Sequence, residues 1–73
     1  MTREDFDFLI ACKKPLEFTF RGIVYNLTYG KDEKGDYIAF GRLYEQQNFY
    51  SYGDLLNQAR VENHFFREMI EEL

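Results

Sequence analysis

The chain has 73 residues, eight phenylalanines, six tyrosines, one cysteine, one histidine and a net charge of −4. One cysteine excludes an internal disulfide and, with one histidine, a Cys/His zinc site, so a single domain over residues 1–73, near the lower size limit, must be held by aromatic bulk or by a partner. Residues 1–44 balance seven acids with seven bases, and the whole net charge falls in residues 45–73, a surface that repels phosphate backbones.

No apolar run is long enough to span a bilayer. Met1-Thr2-Arg3-Glu4-Asp5 is not a basic segment followed by an apolar core, so no signal peptide is expected. With the unpaired Cys12, the expected compartment is the cytoplasm.

Thr2 followed by Asp5 resembles a capping box and opens a helix that Pro15 must end. At about 100° per residue, Phe6, Leu9 and Ile10 share one face. Phe8 and Cys12 lie well to the side and widen the apolar arc to roughly 200°, more than a surface helix needs. Either the helix is wedged between elements of its own domain or the extra edge meets another chain, and the second is the favoured expectation.

Leu16, Phe18 and Phe20 then alternate with polar residues, and Ile23, Tyr25, Leu27 and Tyr29 resume the alternation after Arg21-Gly22. A two-residue loop pairs Phe20 with Ile23, Phe18 with Tyr25 and Leu16 with Leu27, placing all six on one face. Gly22 supplies the positive φ of a primed turn. Asn26-Leu27-Thr28 matches a glycosylation triplet but reads as strand.

Residues 30–36 read as a charged, glycine-bounded turn. Residues 37–43 read as a third strand with Ile38 and Phe40 on the core face and a bulge at Gly41. Residues 44–48 read as turn, and Phe49-Tyr50 as a short fourth strand of an antiparallel meander. Ser51 with Asp54 caps a second helix whose apolar side is Tyr52, Leu55, Leu56 and Ala59. Continued to Leu73, that helix would place Glu62 and Asn63 in its apolar stripe. A break near residues 60–63 is therefore expected, with Asn63 capping a last helix that buries Phe65, Phe66, Met69, Ile70 and Leu73.

The stretch Asn48-Phe49-Tyr50-Ser51-Tyr52-Gly53-Asp54-Leu55-Leu56-Asn57-Gln58-Ala59-Arg60-Val61-Glu62 resembles a pattern in small uncharacterised bacterial α+β proteins. In these, a short strand ending Phe-x-Ser feeds a Leu-Leu helix, a link and a last helix. The likeness covers about a third of the chain. The usual lysine-rich, glycine-containing link is replaced here by Glu62-Asn63-His64. The resemblance implies an α+β fold and no known activity.

Candidate chemistry is sparse. Cys12 with His64 as its base has no local motif, and the ordinary reading is a small buried cysteine and a solvated histidine in a first helical turn. Asp32, Glu33 and Asp36 lack calcium-loop spacing and are offset by Lys31 and Lys34. The five glycines form no phosphate-binding pattern, so no cofactor and no catalysis are expected. Glu68, Glu71 and Glu72 would oppose the dipole of a C-terminal helix, which marks them as a candidate acidic patch for a basic partner. Tyr37, Tyr44, Tyr50 and Tyr52 are not all needed in the core, and exposed tyrosines suit protein contacts. Too few basic residues interleave them for a base-stacking platform.

The expected fold is α+β: an N-terminal helix, a three- or four-stranded antiparallel meander and two short C-terminal helices on one face of the sheet. The expected role is a non-catalytic protein–protein interaction module with itself as the first candidate partner, through Phe8, Cys12, Tyr37, Tyr44 and Tyr50. A small acidic regulator acting through Glu68, Glu71 and Glu72 is the second reading, and a small-ligand binder or enzyme the third.

Overall fold

The computed structural model describes residues 1–73. Thr2 Oγ1 accepts a hydrogen bond from the Asp5 amide at 3.1 Å and opens α1, Arg3–Ala11. The helix stops short of Pro15. Lys13 takes φ +52°, and the Lys13 and Lys14 amides reach back to the Ile10 and Leu9 carbonyls at 3.1 and 3.0 Å, a Schellman closure with lysine in glycine's usual place. Of the expected apolar face, Phe6 is fully buried and Leu9 and Ile10 are half-buried.

Four antiparallel strands come next in the order β1-β2-β3-β4: β1 Leu16–Phe20, β2 Ile23–Asp32, β3 Gly35–Arg42 and β4 Glu45–Phe49. The first hairpin has the expected register, Phe20 with Ile23, Phe18 with Tyr25 and Leu16 with Leu27. Its turn places Arg21 at φ +51° and Gly22 at φ +80°, the paired positive values of a type I′ turn that matches strand twist.

The other two connections differ from expectation. The charged turn shrinks to Glu33-Lys34 because β2 and β3 stay paired out to Asp32 and Gly35. Residues 45–48 are strand rather than turn: Leu43-Tyr44 closes a tight loop with Tyr44 at φ +69°, and Arg42 pairs directly with Glu45. Gly41 forms no bulge, since it stays in register with Asn26 and Gln46. Its φ is +151° and a β-carbon there would come within 2.8 Å of the Glu45 carbonyl oxygen. Glycine is thus needed for close approach rather than for a register shift.

Ser51 Oγ accepts from the Asp54 amide at 3.0 Å and opens α2, Tyr52–Gln58. The break then comes where the pattern required it, but the segment beyond it is not a capped α-helix. Arg60–Val61 (β5) and His64–Phe65 (β6) form a small hairpin turning at Glu62-Asn63, so His64 lies in a strand. The chain ends in two 3-10 turns, Phe66–Glu68 and Ile70–Glu72. The Phe66 amide is bound to the Ala59 carbonyl at 2.9 Å, and Met69, Glu72 and Leu73 bond three residues back. The Phe66 amide is thus anchored to the end of α2, and the tighter winding that follows still carries Phe66, Met69 and Ile70 inward.

The core lies between one sheet face and these closing segments. Phe66 is its central ring, 4.3 Å from Phe40 and 5.9 Å from Phe18 between centroids, and edge-on to Phe6 at 5.5 Å. One side chain thereby joins sheet, tail and α1. Full burial of a ring of this size is worth about 1.5–3 kcal/mol. No helix is long and apolar enough to cross a membrane.

Candidate functional site

Pairing of Ile38 with Phe49 brings the start of β3 beside the end of β4. Tyr37 and Tyr50 thereby meet edge to face, with centroids 6.0 Å apart at 70°. Ile10 of α1 and Lys13 just beyond it stand across from them, and Tyr29, Ile38 and Tyr52 complete a groove of about 200 Å³ with four tyrosines in its walls.

Most of those rings are fixed through their hydroxyls. Tyr29 donates to the Lys14 carbonyl at 2.8 Å, Tyr50 to Asp32 Oδ2 at 2.6 Å, and Tyr52 to Asp7 Oδ1. Tyr37 lies across its register partner Gly30, where a β-carbon would run into the ring. This is an aromatic cover over a strand glycine. Rings held this way present their faces without a further loss of rotamer freedom on contact.

The same hydrogen bonds set the electrostatics. Tyr50 holds the Asp32 carboxyl below its ordinary value, and Asp32 in turn raises the Tyr50 phenol. The Tyr52 hydroxyl, with Arg3 behind it, lowers Asp7. Burial pushes the Tyr29 phenol up to about 12. Lys13 pairs with Asp36 at 3.8 Å on the rim, and Lys34 Nζ sits 5.6 Å from the Tyr50 ring centre. Rim charges are therefore neutralised locally, and the groove offers apolar ring surface rather than a charge.

The structure brings Tyr37 and Tyr50 together and separates the other residues singled out from the sequence. Tyr44 is 94 % exposed at the β3–β4 turn, next to the exposed Leu43 and Val24. Five residue steps along β3, about 17 Å, and then the turn separate it from Tyr37. Phe8 is 62 % exposed and Cys12 exposed. Both lie on the side of α1 turned about 200° from Ile10, and the Lys14 ammonium sits over the Phe8 ring.

Cys12 is exposed, not buried, and lines no cleft, whereas His64 packs edge-on against Phe20 beside Glu68 and Glu72. Glu68 and Glu72 border that shallow cleft with Arg21, while Glu71 borders another with Met1, Thr2 and Asp5. These glutamates sit on 3-10 turns, so the expected conflict with an α-helix dipole does not arise. Asp32 works as a turn-holder, accepting from the Lys34 amide at 2.8 Å as well as from Tyr50.

Sequence reasoning missed Tyr29, Ile10 and Lys13 as walls of the groove, having assigned the first two to core faces, and placed Tyr52 both on the apolar side of the second helix and among the surplus tyrosines. The missed signal was Tyr29 continuing the alternation two residues past Leu27, the last partner of β1, which begins just after Pro15. The chain matches no protein-family model, and no curated protein or solved structure matches it.

Proposed function

We propose that the chain is a non-catalytic protein-recognition module whose groove between α1, β3 and β4 receives an apolar side chain, proline foremost, carried on an extended segment of a partner protein. The observation that supports this most is the set of hydroxyl-anchored tyrosine rings. Aromatic-lined grooves dock extended proline-bearing segments because preformed partners lose little entropy. At about 200 Å³ the groove is smaller than the roughly 300–1,000 Å³ of sites that enclose a whole small molecule. It suits one or two side chains. The net charge of −4 favours protein over nucleic acid as the partner, and an exposed unpaired Cys12 fits a reducing compartment, the cytoplasm.

Selection of a random peptide display library on the immobilised domain tests the reading, followed by amide-shift mapping of the best binder. Enrichment of apolar or proline-bearing peptides that shift Ile10, Tyr37, Ile38 and Tyr50 supports it. Failure to enrich, or shifts centred elsewhere, counts against it.

A second reading is self-association along α1. It is favoured by Phe8 and Cys12, which share one face of that helix and are left uncovered by the rest of the chain. Light scattering during size exclusion should then show a dimer at high micromolar concentration that Phe8→Glu converts to monomer. A monomer in the unmodified protein ends that reading.

A further inference from the structure

A second cleft of about 310 Å³ opens on the core-facing side of the sheet at the opposite end, between β2–β4 and the β5–β6 hairpin. Its floor is apolar, with Phe40, Phe49 and Ala59 almost fully buried. Its polar groups fall into two classes. Glu45 is held by Arg42 and Glu62 by Arg21, each at 3.0 Å, so the carboxylates at this rim already have cationic partners.

The other class has none. The Arg60 guanidinium forms no ion pair or hydrogen bond within the chain. It is propped over the Phe65 ring at 4.5 Å from the centroid. Gln47 sits on β4 with an unpaired side-chain amide. Tyr25 is only 3 % exposed, and its hydroxyl has no partner in the chain. Because no fully buried side-chain polar atom is left unpaired, that hydroxyl must reach a surface. The one cleft that Tyr25 lines is this one. An apolar floor is therefore overlooked by a buried phenol donor, an amide donor and one unneutralised guanidinium.

We propose that this cleft binds a small carboxylic acid with an apolar body, the carboxylate meeting Arg60, Gln47 and the Tyr25 hydroxyl and the body lying over Phe40 and Phe49. A guanidinium matches a carboxylate with two parallel donors and keeps its charge at any accessible pH. The volume sits at the small end of ligand sites, which sets the ligand at about one aromatic or branched acid. Two sources share this chemistry: a free organic acid and the C-terminal residue of a peptide, whose terminal carboxylate is read in the same way.

The test is amide-shift titration of the full 73-residue chain with 3-phenylpropionate, its neutral amide, and N-acetylphenylalanine as the mimic of a peptide end. At least one acid should give saturable shifts at Arg42, Gln47, Ala59 and Arg60, with the amide giving none. Preference for N-acetylphenylalanine identifies a peptide end, and preference for 3-phenylpropionate a free acid. Arg60→Gln, on the exposed rim, should weaken binding about tenfold or more, as loss of a hydrogen bond to a charged group does. Tyr25→Phe keeps the ring and should weaken it several-fold. Absence of shifts with both acids, equal shifts with the amide, or unchanged affinity in both variants overturns the proposal.

Discussion

Arg21 Nη1 lies 3.0 Å from Glu62 Oε2, joining the tip of the first hairpin to the tip of the last, and both residues hold positive φ, +51° and +57°. A left-handed backbone costs a non-glycine residue roughly 1–2 kcal/mol. The exposed pair returns only about 0.2–1 kcal/mol. The turn strain therefore outweighs the pair. Glu62→Ala should lower stability by about 0.5 kcal/mol, since it loses the pair and keeps the strain. Glu62→Gly should exceed the alanine variant by about 1 kcal/mol in urea unfolding. Equal midpoints for the two variants would show that the turn is not strained.

Tyr29 gives the groove an alkaline signature. Its phenol is raised to about 12 by burial while its hydroxyl donates to the Lys14 carbonyl. A folded-state value above the unfolded value of about 10 means its contribution is complete below pH 10 and is lost as pH rises toward 12. Ultraviolet titration of the phenols should show a late phase that is smaller by one tyrosine in Tyr29→Phe, Tyr50 and Tyr52 being raised as well. A late phase of the same size in the variant would mean that another tyrosine supplies it.

At the acid end, the depressed Asp32 carboxyl reports the Tyr50 anchor. A carboxylate below its unfolded value of about 3.9 contributes above that pH and loses the contribution as pH falls below it. Tyr50→Phe should move the Asp32 titration, followed by carboxyl carbon chemical shift, up toward the ordinary value. The fold should survive, because the group is exposed. An unmoved titration would place the cause in the Lys34 amide instead.

Phe66 and Phe8 separate interior from surface. Phe66 is fully buried against Phe6, Phe18 and Phe40, so Phe66→Ala should cost about 3–5 kcal/mol. Phe8→Ala should change monomer stability by less than about 0.5 kcal/mol. Comparable losses in the two variants would contradict the placement of α1.

Local chemical signals made much of this fold legible, and pairings without such signals hid the rest. Gly22 after a strict alternation specifies the first hairpin, and Thr2 and Ser51 bind the amides that their capping positions imply. Leu43-Tyr44 contains none of the residues that favour turns, so β4 was readable only at Phe49. The burial of Phe66, Met69 and Ile70 follows from spacing alone. Their 3-10 winding does not, because the same apolar spacing suits an α-helix. For the groove, Tyr37 and Tyr50 were visible as surplus to the core, but their meeting required the Ile38–Phe49 register. Arg60, Gln47 and Tyr25 gave no sign of a shared cleft, since three elements bring them together.

The most direct test of the groove as the recognition surface is calorimetric affinity for a display-selected peptide, compared between Tyr37→Ala and Tyr44→Ala. Loss of a central aromatic contact costs about 2 kcal/mol, roughly thirtyfold. Tyr37→Ala should therefore weaken binding by about that factor, while Tyr44→Ala, at the far end of the sheet, should leave it unchanged. The reverse order, or equal effects of the two, would contradict it.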